Sequence, residues 1–348
     1  MSHEYKRVTW TPFKARYDRW ILVGIALYLI SFIGVTSLVQ PAGESFTPMQ
    51  MLIRATGTLA FGLLTLILMI GPLARLSPRF LPFLYNRRHL GVTTFLIGLV
   101  HAGLVIMWYH GFGDLNPFVS IFVSNPRYES LAGFPFESLG FVALLILFLM
   151  AATSHDFWNN NLGPRLWKTL HMSVYLAYAL LVAHVALGAI QFEKEPIYMA
   201  LLIGGAGTVS LLHLATGVAS FWPAQKADGA GWISVGAVED LEDSRARIIR
   251  PAKGEAIAVF RHGDKVYAVS NVCRHQGGPL GEGKIVGDCI TCPWHGFQYR
   301  MEDGRSPEPF TERIATYATE IRDGVVFVSE TPNEPGEYQA PSLIGAST

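Results

Sequence analysis

Long apolar runs dominate the first 222 residues of the chain. Six of these runs contain no Asp, Glu, Lys or Arg and reach or approach the roughly 20 residues that a helix needs to cross the hydrocarbon core of a bilayer. The runs are Trp20–Val39, Ala55–Ala74, Leu90–Tyr109, Ser138–Ser154, Thr169–Ile190 and Ile197–Trp222. The pattern therefore predicts an all-α membrane domain of six helices over residues 20–222, preceded by a cytoplasmic N-terminal segment of residues 1–19.

The pattern changes after residue 222 to short β-branched runs that are separated by glycine turns. Three such runs are Ala256–Phe260, Lys265–Val269 and Val325–Val328. They predict a small antiparallel all-β domain over residues 231–330, joined to the helices by a linker of residues 223–230. The polar, proline-containing residues 331–348 predict a disordered tail.

Charge divides the chain at the same place. Half of the 348 residues are hydrophobic and 16% are charged, which is below the roughly 25% of soluble domains. Residues 1–222 hold 14 Lys and Arg against 9 Asp and Glu, whereas residues 223–348 hold 13 against 18. The net charge is therefore +5 on the apolar part and −5 on the polar part. This division argues against an entirely soluble protein, and the acidic polar part argues against nucleic-acid binding.

Lys and Arg collect on one side of the predicted helices. Eleven of them precede the first run, or lie between the second and third or the fourth and fifth runs: Lys6, Arg7, Lys14, Arg16, Arg19, Arg75, Arg79, Arg87, Arg88, Arg165 and Lys168. The opposite loops hold only Arg54, Arg127 and Lys194. Because cytoplasmic loops carry the excess of Lys and Arg, we predict a multi-pass protein of the inner (plasma) membrane with both termini in the cytoplasm.

All three cysteines lie in the predicted β domain, where two short segments each supply one Cys and one His. Two thiolates on one iron and two imidazoles on the other define a Rieske [2Fe–2S] centre. A zinc site uses the same ligand types, but zinc fingers usually present a Cys pair and then a His pair. The arrangement therefore favours a cluster on Cys273, His275, Cys292 and His295, with Cys289 as a buried free thiol.

The two segments resemble the Rieske family, and the resemblance covers residues about 231–330. They read Cys273-Arg274-His275-Gln276-Gly277-Gly278-Pro279-Leu280 and Cys292-Pro293-Trp294-His295-Gly296. The resemblance implies a small β-sandwich with the cluster at its tip. Respiratory Rieske proteins add a disulfide between the two loops and a serine that donates a hydrogen bond to the cluster. In this chain Trp294 stands at one of the cysteine positions and Phe297 stands at the serine position, whereas Tyr299 is present. The chain therefore resembles ferredoxin-type members, and we expect a potential in the lower half of the roughly −150 to +300 mV Rieske range.

Three of the histidines within the predicted spans stand out, because ionisable residues are costly there and mark functional sites. His101 lies about 12 residues into the third span and His184 about 15 residues into the fifth, so both depths are roughly 20 Å at 1.5 Å per residue. Matched depths suit the two faces of one porphyrin near the outer side, while His171 lies near the cytoplasmic end of the fifth span. The alternative is a histidine that only hydrogen-bonds a neighbouring helix.

Several segments resemble the ferric-reductase-like transmembrane family over residues about 20–220. They are Thr56-Gly57, Gly71-Pro72-Leu73-Ala74-Arg75, Arg87-Arg88-x-Leu90-Gly91, His101, Leu162-Gly163, Trp167, Leu170-His171, Tyr175 and His184. In kind they are similar to the heme-binding membrane subunits of bacterial periplasmic methionine sulfoxide reductase systems. The resemblance implies a bundle that binds b-type heme, with ligands at His101, His171 and His184.

The resemblance leaves open whether one or two hemes bind and whether flavin mononucleotide is a further cofactor. In related NADPH oxidases a second histidine lies 14 residues before the position of His101, but Arg87 stands there. His89 and His213, near the cytoplasmic ends of their spans, are the alternative inner ligands. Arg87 and Arg88 are either positive-inside anchors or partners of heme propionates.

The β domain takes the place of the flavin and nicotinamide domain of ferric reductases, whose strand-to-helix G-x-G-x-x-G sequence is missing. No histidine follows His295, which argues against the 2-His-1-carboxylate iron site of a Rieske oxygenase. We therefore predict an oxidoreductase component that takes electrons from a cytoplasmic reductase or ferredoxin to a periplasmic oxidoreductase, quinone or ferric iron. The alternatives are reverse flow from quinol and a redox sensor.

Overall fold

A computed structural model describes residues 12–39, 46–84, 87–125, 127–162, 164–192, 196–220, 225–275, 277–294 and 296–345. The chain divides into two compact units. The helical unit contains Met1–Pro72 and Asn86–Leu214. The β unit contains Leu73–Tyr85 and Ala215–Thr348.

The described residues of the N-terminal part form a series of α-helices. They are α1 (Pro12–Val39), α2 (Pro48–Leu76), α3 (Leu81–Leu84), α4 (Arg87–Val105), α5 (Pro117–Val123), α6 (Phe136–Ala152), α7 (Asp156–Leu162), α8 (Pro164–Met172), α9 (Val174–Leu187) and α10 (Pro196–Ser220). A π-helical turn, Ile106–His110, continues α4. Short 3₁₀ turns lie at Pro78–Phe80, Leu131–Gly133 and Ala189–Phe192.

Within the described residues, five helical segments are long and apolar enough to cross a bilayer: Lys14–Val39, Pro48–Leu76, Arg87–His110, Leu166–Gln191 and Pro196–Val218. They correspond to five of the six predicted spans. The sixth, predicted at Ser138–Ser154, is α6, and its 17 residues give about 26 Å at 1.5 Å per residue, which is short of the roughly 30 Å hydrocarbon core. The count of six spans is therefore not confirmed, although α6 packs against α4 and α9.

Large apolar side chains cover the outside of these helices. Leu27 and Ile30 on α1 and Leu201 on α10 are each at least 60% exposed. Lipid tails solvate such a surface, whereas water would not. The interior is packed around the buried side chains of Leu64, Leu68, Tyr178 and Val209.

The predicted fifth span is not one continuous helix. Helices α8 and α9 meet at Ser173, whose hydroxyl donates to the Leu170 carbonyl at 2.6 Å. Serine side chains compete in this way for backbone groups and interrupt helices. His171 and His184 therefore lie on two different helices.

The β unit contains two sheets. Its strands are β1 (Trp232–Ala237), β2 (Ala246–Ile249), β3 (Ile257–His262), β4 (Lys265–Ser270), β5 (Lys284–Val286), β6 (Cys289–Thr291), β7 (Gln298–Arg300), β8 (Thr316–Arg322), β9 (Val325–Pro332) and β10 (Ser342–Leu343). The larger sheet has the order β1-β9-β8-β4-β3-β2, and β10 pairs with β4. The smaller sheet has the order β5-β6-β7, and all pairs are antiparallel.

Strand β3 shows how the sequence builds the core. Ile257 and Val259 belong to one buried cluster, and Ala258 and Phe260 belong to another, because successive side chains of a strand point to opposite faces. The predicted all-β domain is confirmed. The group of buried side chains that contains Ala258 and Phe260 also contains Cys273 and Cys292, two of the predicted ligands of the iron–sulfur cluster. The hydrophobic core therefore holds the ligand loops in place.

The structure differs from the disorder that the sequence predicts for residues 331–348, of which it describes those up to residue 345. Strand β9 continues to Pro332, and Ser342 in β10 pairs with Val266. The side chain of Asn333 donates to Thr316 Oγ1 at 3.1 Å and to Gln339 Oε1 at 2.9 Å. The polar composition that suggested disorder therefore serves hydrogen bonds to the sheet.

Candidate redox sites

The two loops that carry the predicted cluster ligands have the same backbone hydrogen bonds. In each loop the cysteine N–H donates to the carbonyl five residues later, and the cysteine carbonyl accepts from the N–H four residues later. The bonds are Cys273 to Gly278 (2.8 Å), Gly277 to Cys273 (2.7 Å), Cys292 to Phe297 (2.8 Å) and Gly296 to Cys292 (2.9 Å). Gly277 and Gly296 have φ angles of 71° and 70°, which favour glycine. The spacing of cysteine and glycine therefore builds one loop twice.

The two loops meet at the thiols. Cys273 and Cys292 are 1% and 2% exposed, and neither forms a disulfide. Gly278 of the first loop lies so close to Cys292 that a Cβ there would come within 2.8 Å of Sγ. Two buried, unbridged thiols on facing loops are the donors that one iron of a Rieske centre requires, so these residues fit the predicted group.

The imidazole of His275 is placed against the second loop. Its ring stacks on Phe297, with centroids 4.8 Å apart and an angle of 6° between the planes. His295, the fourth predicted ligand, lies outside the described residues. Among the described residues, no three His, Cys, Asp or Glu side chains converge on one metal ion, and a Rieske centre has only two protein ligands on each iron. Three of the four predicted ligands thus lie on loops that contact each other.

Tyr299 supports the first thiol from inside the core. Its ring is fully buried, and its hydroxyl lies 3.4 Å from Cys273 Sγ and accepts the Arg274 N–H at 3.0 Å. Burial, together with the neighbouring Cys273, raises the pKa of Tyr299 far above its ordinary value. The hydroxyl therefore keeps its proton and can donate it to the sulfur.

The outer side of the first loop is tied to strand β4. Arg274 forms an ion pair of 3.3 Å with Glu255, and the Ser270 hydroxyl donates to the same carboxylate at 2.6 Å. Cys289 stands apart from these loops as a half-buried free thiol on β6, and burial raises its pKa.

In the helical unit, His101 and His184 are held in the same way. The Nδ1 atom of His101 lies 3.0 Å from the Ile53 carbonyl oxygen, and Nδ1 of His184 lies 2.8 Å from the Phe136 carbonyl oxygen. A carbonyl only accepts, so Nδ1 carries the proton and Nε2 is left with a lone pair. A hydrogen bond from Nδ1–H to a backbone carbonyl is a usual way in which a metal-ligating histidine is oriented.

A glycine lets each imidazole approach its carbonyl. A Cβ at Gly57 would come within 2.8 Å of His101, and a Cβ at Gly140 would come within 2.8 Å of His184. Each glycine lies four residues after the residue whose carbonyl accepts the bond, so the two clamps share one design. Both donors and their orientation fit one heme between α4 and α9.

His171 presents a third available nitrogen. Its Nδ1 lies 3.0 Å from the Trp167 carbonyl, and its Nε2 is buried with no hydrogen-bond partner in the described part of the chain. The ring stacks on Trp167 at 3.8 Å, and the Arg88 guanidinium lies 5.2 Å from the Trp167 ring. A buried nitrogen without a partner is costly, so this position also fits a metal ligand.

The alternative inner ligands have other contacts. His213 has Nε2 at 3.0 Å from the Leu68 carbonyl and Nδ1 at 3.3 Å from the Tyr175 hydroxyl, so both ring nitrogens are used. His89 has Nδ1 at 3.2 Å from Asp18. Arg87 extends towards Gly71. These contacts favour His171 over His213 as an inner ligand, whereas the Nδ1 contact of His89 with a carboxylate is one that a metal-ligating histidine also makes.

The sequence interpretation missed Gly140 and His110, and it gave Trp167 no contact with a proposed ligand. Gly140 showed no signal, because the residue that it accommodates lies 44 positions later. Trp167 was noted only as part of a family resemblance, and the structure places it against His171. His110, the residue after the third apolar run, is buried at the end of the π-helical turn; its position just outside the run hid it.

The chain has a helical unit with apolar outer faces and inward-oriented histidines, and a β unit with paired Cys and His loops; together these features define a membrane electron-transfer protein. Residues 56–182 match the ferric reductase like transmembrane component family, and residues 231–318 match the Rieske [2Fe-2S] domain. The chain belongs to the ferric-reductase-like transmembrane family and carries a Rieske domain in the same polypeptide. It is a multi-pass membrane protein.

Relatives are found separately for the two parts. The chain is 30% identical over 192 residues to the protein-methionine-sulfoxide reductase heme-binding subunit MsrQ of Ralstonia nicotianae, which covers 52% of this chain and 83% of that protein. It is 31% identical over 99 residues to ferredoxin CarAc of Metapseudomonas resinovorans, covering 28% of this chain and 92% of the ferredoxin. A match of 47% identity to cholesterol 7-desaturase nvd of Xenopus laevis spans 68 residues, 19% of this chain and only 15% of that protein.

Proposed function

We propose that the protein carries electrons across the inner membrane, from a [2Fe–2S] cluster in the β unit to b-type heme in the helical unit and on to an acceptor outside. The observation that carries the proposal is the pair of equivalent clamps that present Nε2 of His101 and His184. Such a pair of nitrogens would hold the iron of one heme. The excess of Lys and Arg in alternate loops supports cytoplasmic termini.

The β unit holds the proposed cluster through residues of the two loops. Cys273 and Cys292 would bind one iron, and His275 and His295 the other. When bound, the cluster and heme supply one-electron redox chemistry. The chain's own contribution is to bury the thiols, to donate a hydrogen bond from Tyr299, and to place His275 against Phe297.

The helical unit holds its proposed heme at one or two positions. His101 and His184 form the first position. His171, stacked on Trp167, would ligate a second heme nearer the cytoplasmic side, and Arg88 is near enough to offset the charge of a propionate.

The proposed topology requires an electron donor on the cytoplasmic side and an electron acceptor on the outer side. A cytoplasmic reductase or ferredoxin would reduce the cluster. Outside, the acceptor would be a periplasmic oxidoreductase, quinone or ferric iron. The relative in Ralstonia is the heme-binding subunit of a protein-methionine-sulfoxide reductase, which supports an oxidoreductase partner.

Stoichiometry and ligand variants test the heme sites. Purified full-length protein should contain b-type heme, two irons beyond the heme iron and acid-labile sulfide, and the same analysis counts hemes and flavin. His101→Ala or His184→Ala should lose the outer heme. His213→Gln is the matched control and should keep it, because both nitrogens of His213 are engaged by protein groups. Full heme content in both ligand variants would refute the outer site.

Transport is tested in sealed vesicles. Reductant and a small ferredoxin are supplied on the side of the β unit, and an impermeant acceptor is supplied on the other. Reduction of the acceptor supports the proposal. Cluster reduction without any transfer across the bilayer would instead favour a redox sensor.

A further inference from the structure

A buried imidazole at the outer end of α4 has no role in the proposed ligation. His110 ends the π-helical turn after α4, and such turns often mark functional sites. Its side chain is 2% exposed. Its Nδ1 lies 2.8 Å from Ser120 Oγ, whereas its Nε2 has no hydrogen-bond partner among the residues that the structure describes.

A carboxylate faces the unused nitrogen of His110. Glu137 Oε1 lies 3.8 Å from His110 Nε2, and the Glu137 side chain is 16% exposed. Its other oxygen accepts a hydrogen bond from Asn125 Nδ2 at 3.0 Å. The distance of 3.8 Å is too long for a hydrogen bond, but a proton on Nε2 would allow a charge-assisted one.

The same short segment contacts the proposed heme ligand. Phe136, which precedes Glu137, accepts the Nδ1–H of His184 through its carbonyl at 2.8 Å. Its ring centroid also lies 5.6 Å from that of His184. The peptide Phe136–Glu137 therefore joins the proposed heme ligand to the pair of His110 and Glu137.

Among the residues that the structure describes, the elements next to the pair contribute few other charges. Helix α5, which packs against the π-helical turn, contains no Asp, Glu, Lys, Arg or His. Helix α6 contributes Glu137, and α9 contributes His184. The adjoining loops contribute Asp114, Arg127 and Glu129, which are exposed and therefore strongly screened by solvent.

An electron added inside a low-dielectric bundle is stabilised when a positive charge is added nearby. We propose that His110 and Glu137 form a proton-uptake site of the outer heme position. One proton from the outer aqueous side binds at His110 Nε2 when one electron reaches the His184 site, and the same proton leaves when the electron leaves. This inference rests on the proposed function, because it needs heme at His184.

The pH dependence of the heme potential tests the proposal. In the purified full-length holoprotein, spectroelectrochemical titration should show the outer heme potential falling with pH by up to about 59 mV per unit, the value for one proton per electron. Glu137→Gln and His110→Asn should each flatten this slope by half or more. Both substitutions keep a polar group towards Asn125 or Ser120, and Glu129→Gln, an exposed acid in the adjoining loop, should keep the slope.

The outcomes separate the two hypotheses. A pH-independent potential in the unmodified protein, or an unchanged slope in Glu137→Gln, would overturn the proton-uptake site while leaving the heme site intact. Absence of heme from the unmodified protein would refute the proposed function itself. If His110→Asn fails to fold, Glu137→Gln decides the question, because it retains the size of the side chain.

Discussion

The β unit and the helical unit orient their proposed ligands through hydrogen bonds of different range. In the β unit, the bonds that shape each loop join residues four or five positions apart. In the helical unit, the carbonyls that orient His101 and His184 each come from a residue 48 positions away. Each unit repeats one device twice, but only the local device leaves a spacing that can be seen in a single sequence.

The largest expected effect comes from substitutions in the two ligand loops of the β unit. Cys273→Ser or Cys292→Ser should remove the cluster entirely, because each iron–sulfur site depends on both thiolates. Iron and acid-labile sulfide analysis, with electron paramagnetic resonance, measures the loss. Cys289→Ser is the matched control and should retain a full cluster, since this thiol lies outside both loops. Retention of the cluster in both ligand variants would show that the loops hold no such site.

Substitution of Gly57 or Gly140 should disturb the hydrogen bonds that orient His101 and His184. Gly57→Ala and Gly140→Ala place a Cβ within 2.8 Å of an imidazole and should disturb the hydrogen bond that orients it. Loss of such a bond weakens metal binding by about 10- to 100-fold, and we expect the same range for heme. Heme retention during a competition with apomyoglobin measures the change. Gly62→Ala lies on the same helix as Gly57 with nothing within 4 Å, so it should bind heme normally. Equal heme retention in all three variants would contradict the clamp.

A smaller effect is expected when the cluster stays but loses a hydrogen bond. Tyr299→Phe removes the hydroxyl beside Cys273 Sγ and should lower the cluster potential. A hydrogen bond of about 1 kcal/mol corresponds to about 40 mV for one electron. Protein-film voltammetry or a redox titration followed by circular dichroism measures the shift. Tyr267 is another buried tyrosine of the same hydrophobic core, and Tyr267→Phe should leave the potential unchanged. A higher cluster potential in Tyr299→Phe would contradict the hydrogen bond from Tyr299 to the sulfur.

The smallest effect concerns stability rather than redox chemistry. Asn333→Ala removes the side-chain bonds to Thr316 and Gln339 and should lower the free energy of unfolding of the β unit by about 1–2 kcal/mol. Thermal unfolding followed by circular dichroism measures the change. Glu330→Ala, at an exposed position on β9 three residues before Asn333, should change it little. Equal stability of the two variants would mean that the segment after β9 contributes nothing to the fold.

Much of the architecture could be predicted from the sequence because it depends on composition and short spacing. Apolar runs located the helices, since lipid admits few charges, and alternating β-branched runs located strands such as β3 and β4. The pattern of Cys and His in two contiguous segments predicted Cys273, His275, Cys292 and His295 as ligands, and the resemblance to the Rieske family supported that prediction. Tyr299 was noted at the sequence level, and the structure places its hydroxyl next to Cys273.

Other features needed the tertiary structure. The sequence could not show that Ser173 separates His171 from His184, or that Asn333 secures a segment whose composition suggested disorder. Each depends on which carbonyl or side chain lies opposite in space.

By itself, the sequence determined that this protein has a membrane-embedded helical part and a β domain with a two-loop Cys and His motif, because hydrophobicity and local backbone geometry act over a few residues. Only the tertiary structure decided which carbonyls orient His101 and His184, why Gly140 stands where it does, and that His110 faces Glu137. These contacts join residues on separate elements, and a hydrogen bond between separate elements depends on how they pack rather than on any spacing along the chain.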